Sequence, residues 1–458
     1  MTRPRAAGAL ACAVALTVAA CTSDSLVARR PSPTAASSST PEAEPEVQPQ
    51  RGGSVNVGVV GSPATLDPYS PVASDLTYAL ARPVYPSLYE LGAKGRPVAS
   101  LARDAELTEK GVRITLRRAR WSDGSPITAR DVVASVARAT PPSGFTRVQG
   151  ARALSRRVVF LEFNATRFWE RALALSTYVL PGGVPRAHKA GILGGGPWRV
   201  SSYRPGLKVV YERNRHVVRD EGPYLERVSV FFYESMAVLL DALRSGDVDV
   251  AVPLATLNLD DRLSAMRVEY DHALGWELVW MDLRPTLPRA TRSAVVAAIN
   301  RAALEEGFVR DAGRVSFTMH PGPRGRSGLW DRGIGKRSKV DDPVRIGVPS
   351  GDELLFLYEG AIDIQLSGRK IDLEPVVGQA ADFYGPWRDD GPWDVALMRS
   401  AGAKGLRDRK REARTLTALP LAHVETYLAW RPGIEGLQVN PTLDGPLWNM
   451  ESWWRSRP

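Results

Sequence analysis

The side chains that could support acid–base or metal chemistry are scattered along this sequence. Its five histidines are His188, His216, His272, His320 and His423. No two of them have the H-E-x-x-H spacing that places two zinc ligands on one face of a helix. A zinc enzyme would need a ligand set assembled entirely by the fold, so the sequence predicts no metal and no cofactor.

Three short patterns match catalytic or phosphate-binding motifs only in part. Ser367-Gly-Arg-Lys370 fits S-x-x-K, but no K-T-G accompanies it, and it falls at the end of a predicted helix, where the helix dipole favours a lysine. Gly194-Gly-Gly196 lacks the G-K-[ST] of a phosphate loop and is more typical of a turn. Asp247 and Asp249 would point to one face of a strand, where carboxylates are more often solvated than catalytic. We therefore predict that the protein is not an enzyme.

The N-terminus predicts export followed by lipid attachment. Basic residues precede an apolar run over residues 6–20, which is too short to span a bilayer of about 30 Å at about 1.5 Å per residue. The run ends in Val18-Ala-Ala-Cys21, which resembles the lipobox of bacterial lipoproteins, where cleavage leaves an acylated cysteine. An ordinary signal peptide with an incidental cysteine is the alternative. The only other cysteine is Cys12, so the body holds no disulfide framework or thiolate metal site.

Residues 22–50 have the composition of a tether. They contain no aromatic side chain and only Leu26, Val27 and Val47 as large aliphatic residues, so they cannot bury enough surface to offset the entropy cost of ordering. We predict a signal peptide over residues 1–20 and a lipidated, disordered tether over residues 21–51.

Positive charge is abundant but spread along the chain. Lysine and arginine number 60 against 50 acidic residues, and 51 of the basic residues are arginine. Basic and acidic residues are interleaved, so together with the export signal the sequence predicts no nucleic-acid partner.

The rest of the chain alternates between strand and helix patterns. Strands are predicted over residues 54–60, 112–116, 158–163, 198–203, 247–252, 276–283, 344–349, 371–377 and 393–398. A helix is predicted after the N-cap Thr128, with the acid of a capping box, Asp131, at the third helical position, and another from the N-cap Ser235 to Gly246, which ends it in the left-handed conformation. Further helices are predicted over Thr291–Leu304, from about Leu354 to Gln365, and briefly near Gln379. Between residues 344 and 399 the alternation predicts a largely parallel sheet with right-handed crossovers, whose ligand sites lie at the carboxyl ends of its strands. The glycine-rich, basic segment 322–339 predicts an exposed loop.

Several short segments follow one another in an order that is specific when they are taken together. They are RGGSVNV (51–57), ATLDP (64–68), WSDGSPITARDVVAS (121–135), GGGPWRVSSYRPG (194–206), ERN (212–214), LRSGDVD (243–249) and RSAVVAAINR (292–301). The set resembles the family 5 extracellular solute-binding proteins, the dipeptide and oligopeptide receptors of bacterial ABC importers. We interpret the WSDG stretch as structural, with Asp123, Gly124 and Asp131 building the lobe and not touching ligand.

The resemblance implies an α/β, two-lobed periplasmic-binding-protein-like fold with crossover strands between the lobes and a small extra subdomain in lobe 1. Lobe 1 with its subdomain is predicted over residues 52–271, a shortened lobe 2 over 272–430, and a return to lobe 1 over 431–458. The implied function is that of a monomeric, lipid-anchored receptor on the outer face of the cytoplasmic membrane. It would capture a small solute, a peptide or an anion, by closing its cleft and deliver it to the permease subunits of an ABC transporter.

The resemblance and the strand ends together suggest the ligand-binding residues. They are Trp276 and Trp280 on the first crossover strand, Asp282 where the family usually has asparagine, Ser350 and Asp352 at a helix N-terminus, and Trp393, Arg399 and Ser400 at a strand end. For each tryptophan, core packing is the alternative.

The second half departs from the family pattern in one respect. The peptide receptors carry an acidic, aromatic D-Y-x-D-P-like segment that binds the ligand's amino group, whereas this chain has MRSAGAK over residues 398–404. The Arg399 guanidinium and a nearby helix N-terminus favour a carboxylate or another anion. A degenerate receptor that acts as an envelope sensor or partner-binding lipoprotein without transport is the alternative function, motivated by the shortened second lobe.

Overall fold

The computed structural model describes residues 48–456 apart from 93–95, 141–142, 164–168, 190, 218–221, 256–257, 305–312, 316–339, 341, 351, 379–390, 401–413 and 441–444. The predicted signal peptide, Cys21 and most of the tether lie outside the described residues. The predicted loop over 322–339 and the short helix near Gln379 also lie outside them.

The strands of the described residues are numbered in chain order. They are β1 (Ser54–Val60), β2 (Tyr89–Leu91), β3 (Pro97–Ala99), β4 (Ala102–Thr108), β5 (Gly111–Leu116), β6 (Val148–Ala153), β7 (Val158–Phe163), β8 (Ala187–His188), β9 (Gly191–Ile192), β10 (Trp198–Arg204), β11 (Lys208–Arg213), β12 (Arg227–Tyr233), β13 (Val250–Leu254), β14 (Glu269–Leu283), β15 (Gly313–Val315), β16 (Val344–Pro349), β17 (Leu373–Gly378), β18 (Val395–Ser400), β19 (Ala418–Trp430), β20 (Ile434–Glu435) and β21 (Trp454–Arg455).

The α-helices are numbered in the same way. They are α1 (Asp75–Ala81), α2 (Ala129–Arg138), α3 (Trp169–Ala174), α4 (Met236–Ser245), α5 (Leu259–Met266), α6 (Arg289–Ala298), α7 (Arg301–Leu304) and α8 (Glu353–Ser367). Within the described ranges, none of them combines the length and the apolar character that crossing a membrane requires.

One large mixed sheet forms the framework of the fold. Its strand order is β17-β16-β18-β14-β19-β13-β1-β12-β11-β10-β9-β8, with β15 paired to β19. The alternating sequence of β1 places Val55, Val57 and Val59 in the core, where all three are buried. Strand β1 pairs in parallel with β12 on one side and with β13 on the other.

Separate hydrophobic cores define the two lobes. One core includes Val57 and Trp198, and another includes Trp280, Ile346 and Tyr358. Trp453, near the C-terminus, packs in the first core. The fold is therefore the two-lobed α/β arrangement with crossover strands, while the boundaries assigned to the lobes stay predictions.

A second sheet forms the small subdomain of lobe 1. Its four antiparallel strands have the order β4-β5-β7-β6, and α2 packs against β6 and β7. Val112, Ile114 and Leu116 of β5 alternate into the core of lobe 1, where they are fully buried.

The capping box predicted at the start of α2 is confirmed. Asp131 Oδ2 accepts the backbone N–H of Thr128 at 2.8 Å. Its other oxygen, Oδ1, accepts the backbone N–H of Gly182 at 2.9 Å, across 51 residues of chain. Asp131 therefore closes the first turn of α2 and also ties the helix to a distant loop, which is the structural role that the sequence predicts for it.

Helix α4 begins and ends where the sequence predicts. The Ser235 hydroxyl accepts the backbone N–H of Val238 at 3.3 Å, and Gly246 ends the helix in the left-handed conformation with φ +89°. Glycine adopts this conformation without the steric cost that a Cβ brings.

The prediction of one continuous helix over Thr291–Leu304 is wrong. Helix α6 ends at Ala298, Ile299 adopts an extended backbone, and α7 begins at Arg301. The cause is Asn300, whose side-chain oxygen accepts the N–H of Ala303 at 3.3 Å and whose backbone N–H donates to the Gln365 side chain at 2.6 Å. Asparagine competes in this way with the helical backbone, so the apolar stripe continues over two helices.

Asp131→Ala should lower the free energy of unfolding by about 2 kcal/mol, because it removes an N-terminal helix contact and a charge-assisted bond to Gly182. Urea denaturation followed by circular dichroism measures the change. Arg130→Ala, at an exposed position of the same helix, is the control and should change stability by less than about 0.5 kcal/mol. An equal loss in the two variants would contradict the role given to Asp131.

Candidate functional site

The strand directions place two sets of carboxyl ends opposite each other. Strand β13 is antiparallel to β19, β19 to β14, and β14 to β18, so β13 and β18 run in opposite directions. Leu254, at the end of β13, and His272 of β14 both pair with Tyr427 of β19, so they lie at the same level of the sheet. Ser400, at the end of β18, pairs with Leu278 of β14. The two ends point toward each other, about 20 Å apart along β14 at about 3.3 Å per residue.

The parallel neighbours of these strands extend both edges. Strand β1 is parallel to β13, and β16 is parallel to β18, so their carboxyl ends face the same gap. Ligands of open α/β sheets bind outside such strand ends. We therefore take the gap between the two edges, which β14 and β19 bridge, as the candidate ligand cleft.

A cluster of polar side chains lies on the lobe 1 side of this bridge. His272 Nδ1 lies 2.8 Å from the Glu425 carboxylate, and the His272 ring stacks on Tyr427 with 4.9 Å between centroids. The Tyr427 hydroxyl donates to the Asp260 carboxylate at 3.2 Å. Burial raises the pKa of Tyr427, and the Asp260 charge raises it further, so this hydroxyl stays protonated and acts as a donor.

Arg399 and Asp352 form an ion pair at the lobe 2 edge of the cleft. Arg399 Nη1 lies 3.4 Å from each carboxylate oxygen of Asp352, and the two side chains are 10% and 23% exposed. The same carboxylate caps α8 by accepting the backbone N–H of Leu355 at 3.1 Å. Sequence reasoning treats the Arg399 guanidinium and the N-terminus of α8 as available to an anion. In the structure the Asp352 carboxylate pairs with the guanidinium and also caps the helix.

Trp280 and Asp282 lie on the opposite face of the lobe 2 sheet from Arg399. Trp280 pairs with Met398 and Asp282 with Ala396, whereas Arg399 pairs with Val279. Directly paired residues share a face and neighbours alternate, so the structure does not bring these residues together on one surface. Trp280 is 2% exposed within the second core, and Asp282 is 8% exposed. For Trp280 this is the core packing that the sequence leaves open as the alternative.

Trp393 lies at the amino end of β18, away from Arg399. Six residues separate the two along an extended chain, or about 20 Å. Trp393 is 1% exposed, and the Arg284 guanidinium lies 4.3 Å from its ring centroid. This geometry is a cation–π contact that covers the core at the edge of the sheet opposite the cleft.

For the remaining predicted residues, Ser350, Trp276 and Ser400, the backbone gives the position in the sheet. Ser350 follows β16, and its N–H donates to the carbonyl of Gly378 at 2.7 Å, which continues the β16–β17 pairing toward the cleft. Trp276 lies within β14 and Ser400 ends β18, and the side chains of both lie outside the described part of the chain.

The resemblance implies more than one crossover strand, but sequence reasoning assigns no residues to the second, β19, and gives His423 no role. This histidine is 4% exposed and pairs with Leu278, level with Ser400 at the cleft edge. The run ALPLAHVETYLAW is buried along most of its length. A strand that is covered on both faces shows no alternation of apolar and polar residues. Only its length and its apolar content therefore indicate the strand in the sequence.

Facing strand ends and two bridging strands define a two-lobed binding protein. A family model described as bacterial extracellular solute-binding proteins, family 5 Middle, matches residues 96–326, half of the chain. The chain belongs to this family.

Relatives and solved structures agree with this assignment. The peptidoglycan-binding protein YepA of Agrobacterium fabrum is 28% identical over 245 residues, which are 46% of this chain and 39% of YepA. A putative binding protein of Brucella melitensis is 27% identical over 44% of this chain and 38% of its own length. The match thus spans about two fifths of the length of these relatives.

Two solved structures show the same fold over nearly the whole body. The periplasmic EDTA-binding protein EppA has a TM-score of 0.74 and 19% identity, and the match covers 90% of this chain and 98% of EppA. The oligopeptide-binding protein AppA from Bacillus subtilis, in complex with a nonapeptide, has a TM-score of 0.75 and 15% identity, over 90% of this chain and 100% of AppA. At these identities the likeness shows the fold.

A second ion pair lies at the opposite edge of the same strands. The Arg345 guanidinium donates to both oxygens of Asp394 at 3.0 and 3.1 Å, and the Arg345 backbone N–H donates at 3.0 Å. Burial alone would raise the pKa of Asp394, but the hydrogen bonds and charge of Arg345 lower it overall.

Asp394→Asn should lower the free energy of unfolding at pH 7 by about 1 kcal/mol, a modest value because Arg345 is half exposed. The pKa of Asp394 is lower in the folded state than its unfolded value of about 3.9. The stabilisation is therefore full above about pH 5 and is lost as the pH falls below about 4.

Urea denaturation at pH 7 and pH 3 checks this expectation. Asp372→Asn, at an exposed position, is the control and should have little effect at either pH. A difference between Asp394→Asn and the parent protein that persisted undiminished at pH 3 would refute the ionic origin of the effect.

Proposed function

We propose that this chain is the lipid-anchored, extracytoplasmic solute receptor of an ABC importer, and that it captures its solute by closing the two lobes. The observation that carries the proposal is the pair of facing strand edges bridged by β14 and β19. A solute that contacts both edges stabilises the closed state, and no chemical step is needed. A permease subunit would then recognise the closed form.

The Arg399–Asp352 pair supports a zwitterionic, peptide-like solute. Its N–O distances of 3.4 Å are longer than the roughly 2.7–2.9 Å of a strong charge-assisted bond. A solute carboxylate can therefore take the Arg399 guanidinium while a solute ammonium takes Asp352, and neither charge is left unpaired. A solute with only negative charge would meet Asp352 as a like charge, which favours zwitterions over simple anions.

The structural neighbours are consistent with this class of solute. EppA is named for EDTA and AppA was solved with a nonapeptide, and both ligands combine carboxylates with nitrogen groups. The family's acidic segment has no counterpart in the sequence at residues 398–404. Asp352, which comes from a different element, is the carboxylate that we propose in its place.

Free tripeptides such as Ala-Ala-Ala should raise the Tm of the purified chain, because a ligand at 100-fold its Kd adds about 2.7 kcal/mol to stability. The N-acetylated, C-amidated tripeptide should not. Arg399→Gln should weaken free tripeptide binding about 10- to 100-fold, the equivalent of one charge-assisted bond. Thermal shift and calorimetric titration measure both effects.

The matched control is Arg345→Gln, which removes the equivalent ion pair at the far edge of the same strands and should leave affinity unchanged. Binding of succinate but not of peptides would show that the solute class is wrong. If peptides, amino acids, sugars and metal chelates all left the Tm unchanged, capture itself would fail, and the sensor alternative would gain support.

Cys21→Ser should release the protein from the membrane, because acyl chains contribute about 0.8 kcal/mol per buried CH₂ and none would be attached. Fractionation of cells that express either form, followed by immunoblotting, measures the partition. Cys12→Ser is the control, since that residue lies within the predicted signal peptide. Equal membrane retention of Cys21→Ser and the parent protein would refute the anchor.

A further inference from the structure

A basic cavity of about 810 Å³ opens on lobe 1, away from the cleft. It lies beside strands β8 to β12, whereas the cleft edge of lobe 2 is formed by strands at the other end of the sheet order. Five cationic side chains line it: Lys189, Arg199, Arg213, Arg215 and Arg227. Two carboxylates, Glu212 and Glu226, also line it, which leaves an excess of three positive charges before the two lining histidines are counted.

Three of the arginines have partners within the protein, and of these Arg227 is 58% exposed. Glu212 is ion-paired with Arg199 and lies 3.4 Å from Arg227. Arg213 donates to the backbone carbonyl of Tyr224 at 2.8 Å and to that of Leu225 at 3.2 Å. Guanidinium groups fixed in this way lose little further entropy when they bind an anion.

The other two cations are free to meet a ligand. Lys189 and Arg215 are exposed, and neither makes a hydrogen bond or ion pair with any residue that the structure describes. The turn that carries Arg215 is rigidly anchored, because the buried Asn214 side chain donates to the carbonyls of Gly194 and Gly196 at 3.3 and 3.0 Å. The adjacent backbone N–H of His216 donates to Asn214 Oδ1 at 3.0 Å.

Asp123, near the cavity, has a lowered pKa. Burial alone would raise the pKa of Asp123, but hydrogen bonds from Ser125 and the charges of His188 and Arg186 lower it overall. His188 itself lines the cavity. The excess of cationic side chains in the lining stabilises added negative charge.

We propose that this cavity binds a phosphate group, presented by an anionic lipid headgroup or by a soluble polyphosphate. Guanidinium forks match the geometry of phosphate oxygens, and the exposed Lys189 and Arg215 can balance the remaining charge of the phosphate. Gly53 and Ser54 also line the cavity, so it lies where the chain enters the folded body.

The test compares the full chain with two variants of equal net charge. The cavity variant is Lys189→Glu with Arg215→Glu. The control is Arg103→Glu with Lys110→Glu, two exposed residues of the β4–β5 hairpin in the subdomain. All three proteins keep the same first 47 residues, so any membrane affinity of that segment cancels. The probes are vesicles of phosphatidylcholine with or without phosphatidylglycerol, and free tripolyphosphate.

The cavity variant should bind phosphatidylglycerol vesicles at least tenfold more weakly than the parent protein, since it replaces two cations that attract an anionic surface with two acids that are repelled by it. The control should bind within about twofold of the parent, and tripolyphosphate should compete. Tripolyphosphate binding that is lost only in the cavity variant, without vesicle binding, supports the site and assigns it to a soluble phosphate compound.

Equal losses in both variants would overturn the proposal, because diffuse charge would then account for binding. No effect of the cavity variant on either probe would overturn it as well. The outcome is independent of peptide capture, which concerns the cleft, so failure of one proposal leaves the other standing.

Discussion

The antiparallel pairing of β14 with β19 is the interaction on which the rest of the structure depends. The two strands extend from one lobe to the other, and their register sets how the remaining strands are arranged. Because β13 pairs with one end of β19 and β18 with the other half of β14, the carboxyl ends of both lobes face one gap. Neither lobe alone could form that cleft, since each supplies one edge of it.

A second constraint is that charge near the cleft is balanced locally. Asp352 holds Arg399 and caps α8 with the same carboxylate, so an ionic contact and a helix terminus share one group. An isolated arginine at a largely buried position would favour any anion. The paired arrangement instead favours a solute that brings both charges. In the function that we propose, Asp352 supplies the carboxylate that the family's acidic segment supplies in the peptide receptors.

How well the sequence predicts the structure depends on the distance along the chain over which each feature is determined. Helix α4 was predicted with its bounds because Ser235 and Gly246 act within one turn of it. The Arg399–Asp352 pair spans 47 residues and the His272–Glu425 pair spans 153, and no local pattern encodes either contact. The face on which Trp280 lies depends on its register with β18, so candidate residues adjacent in a motif separate in space. Asn300 broke a predicted helix through a contact with Gln365, again a distant residue.

The polar cluster on the crossover strands bears on how such a protein can close. His272 of β14 contacts both Glu425 and Tyr427 of β19, and both strands continue into the two lobes. The hydrophobic cores of the two lobes are separate, so a change in the angle between them need not disturb core packing. A solute closes the lobes only through contacts that it makes when both strand edges meet it. A solute that bound the open and closed forms equally would not shift the equilibrium between them.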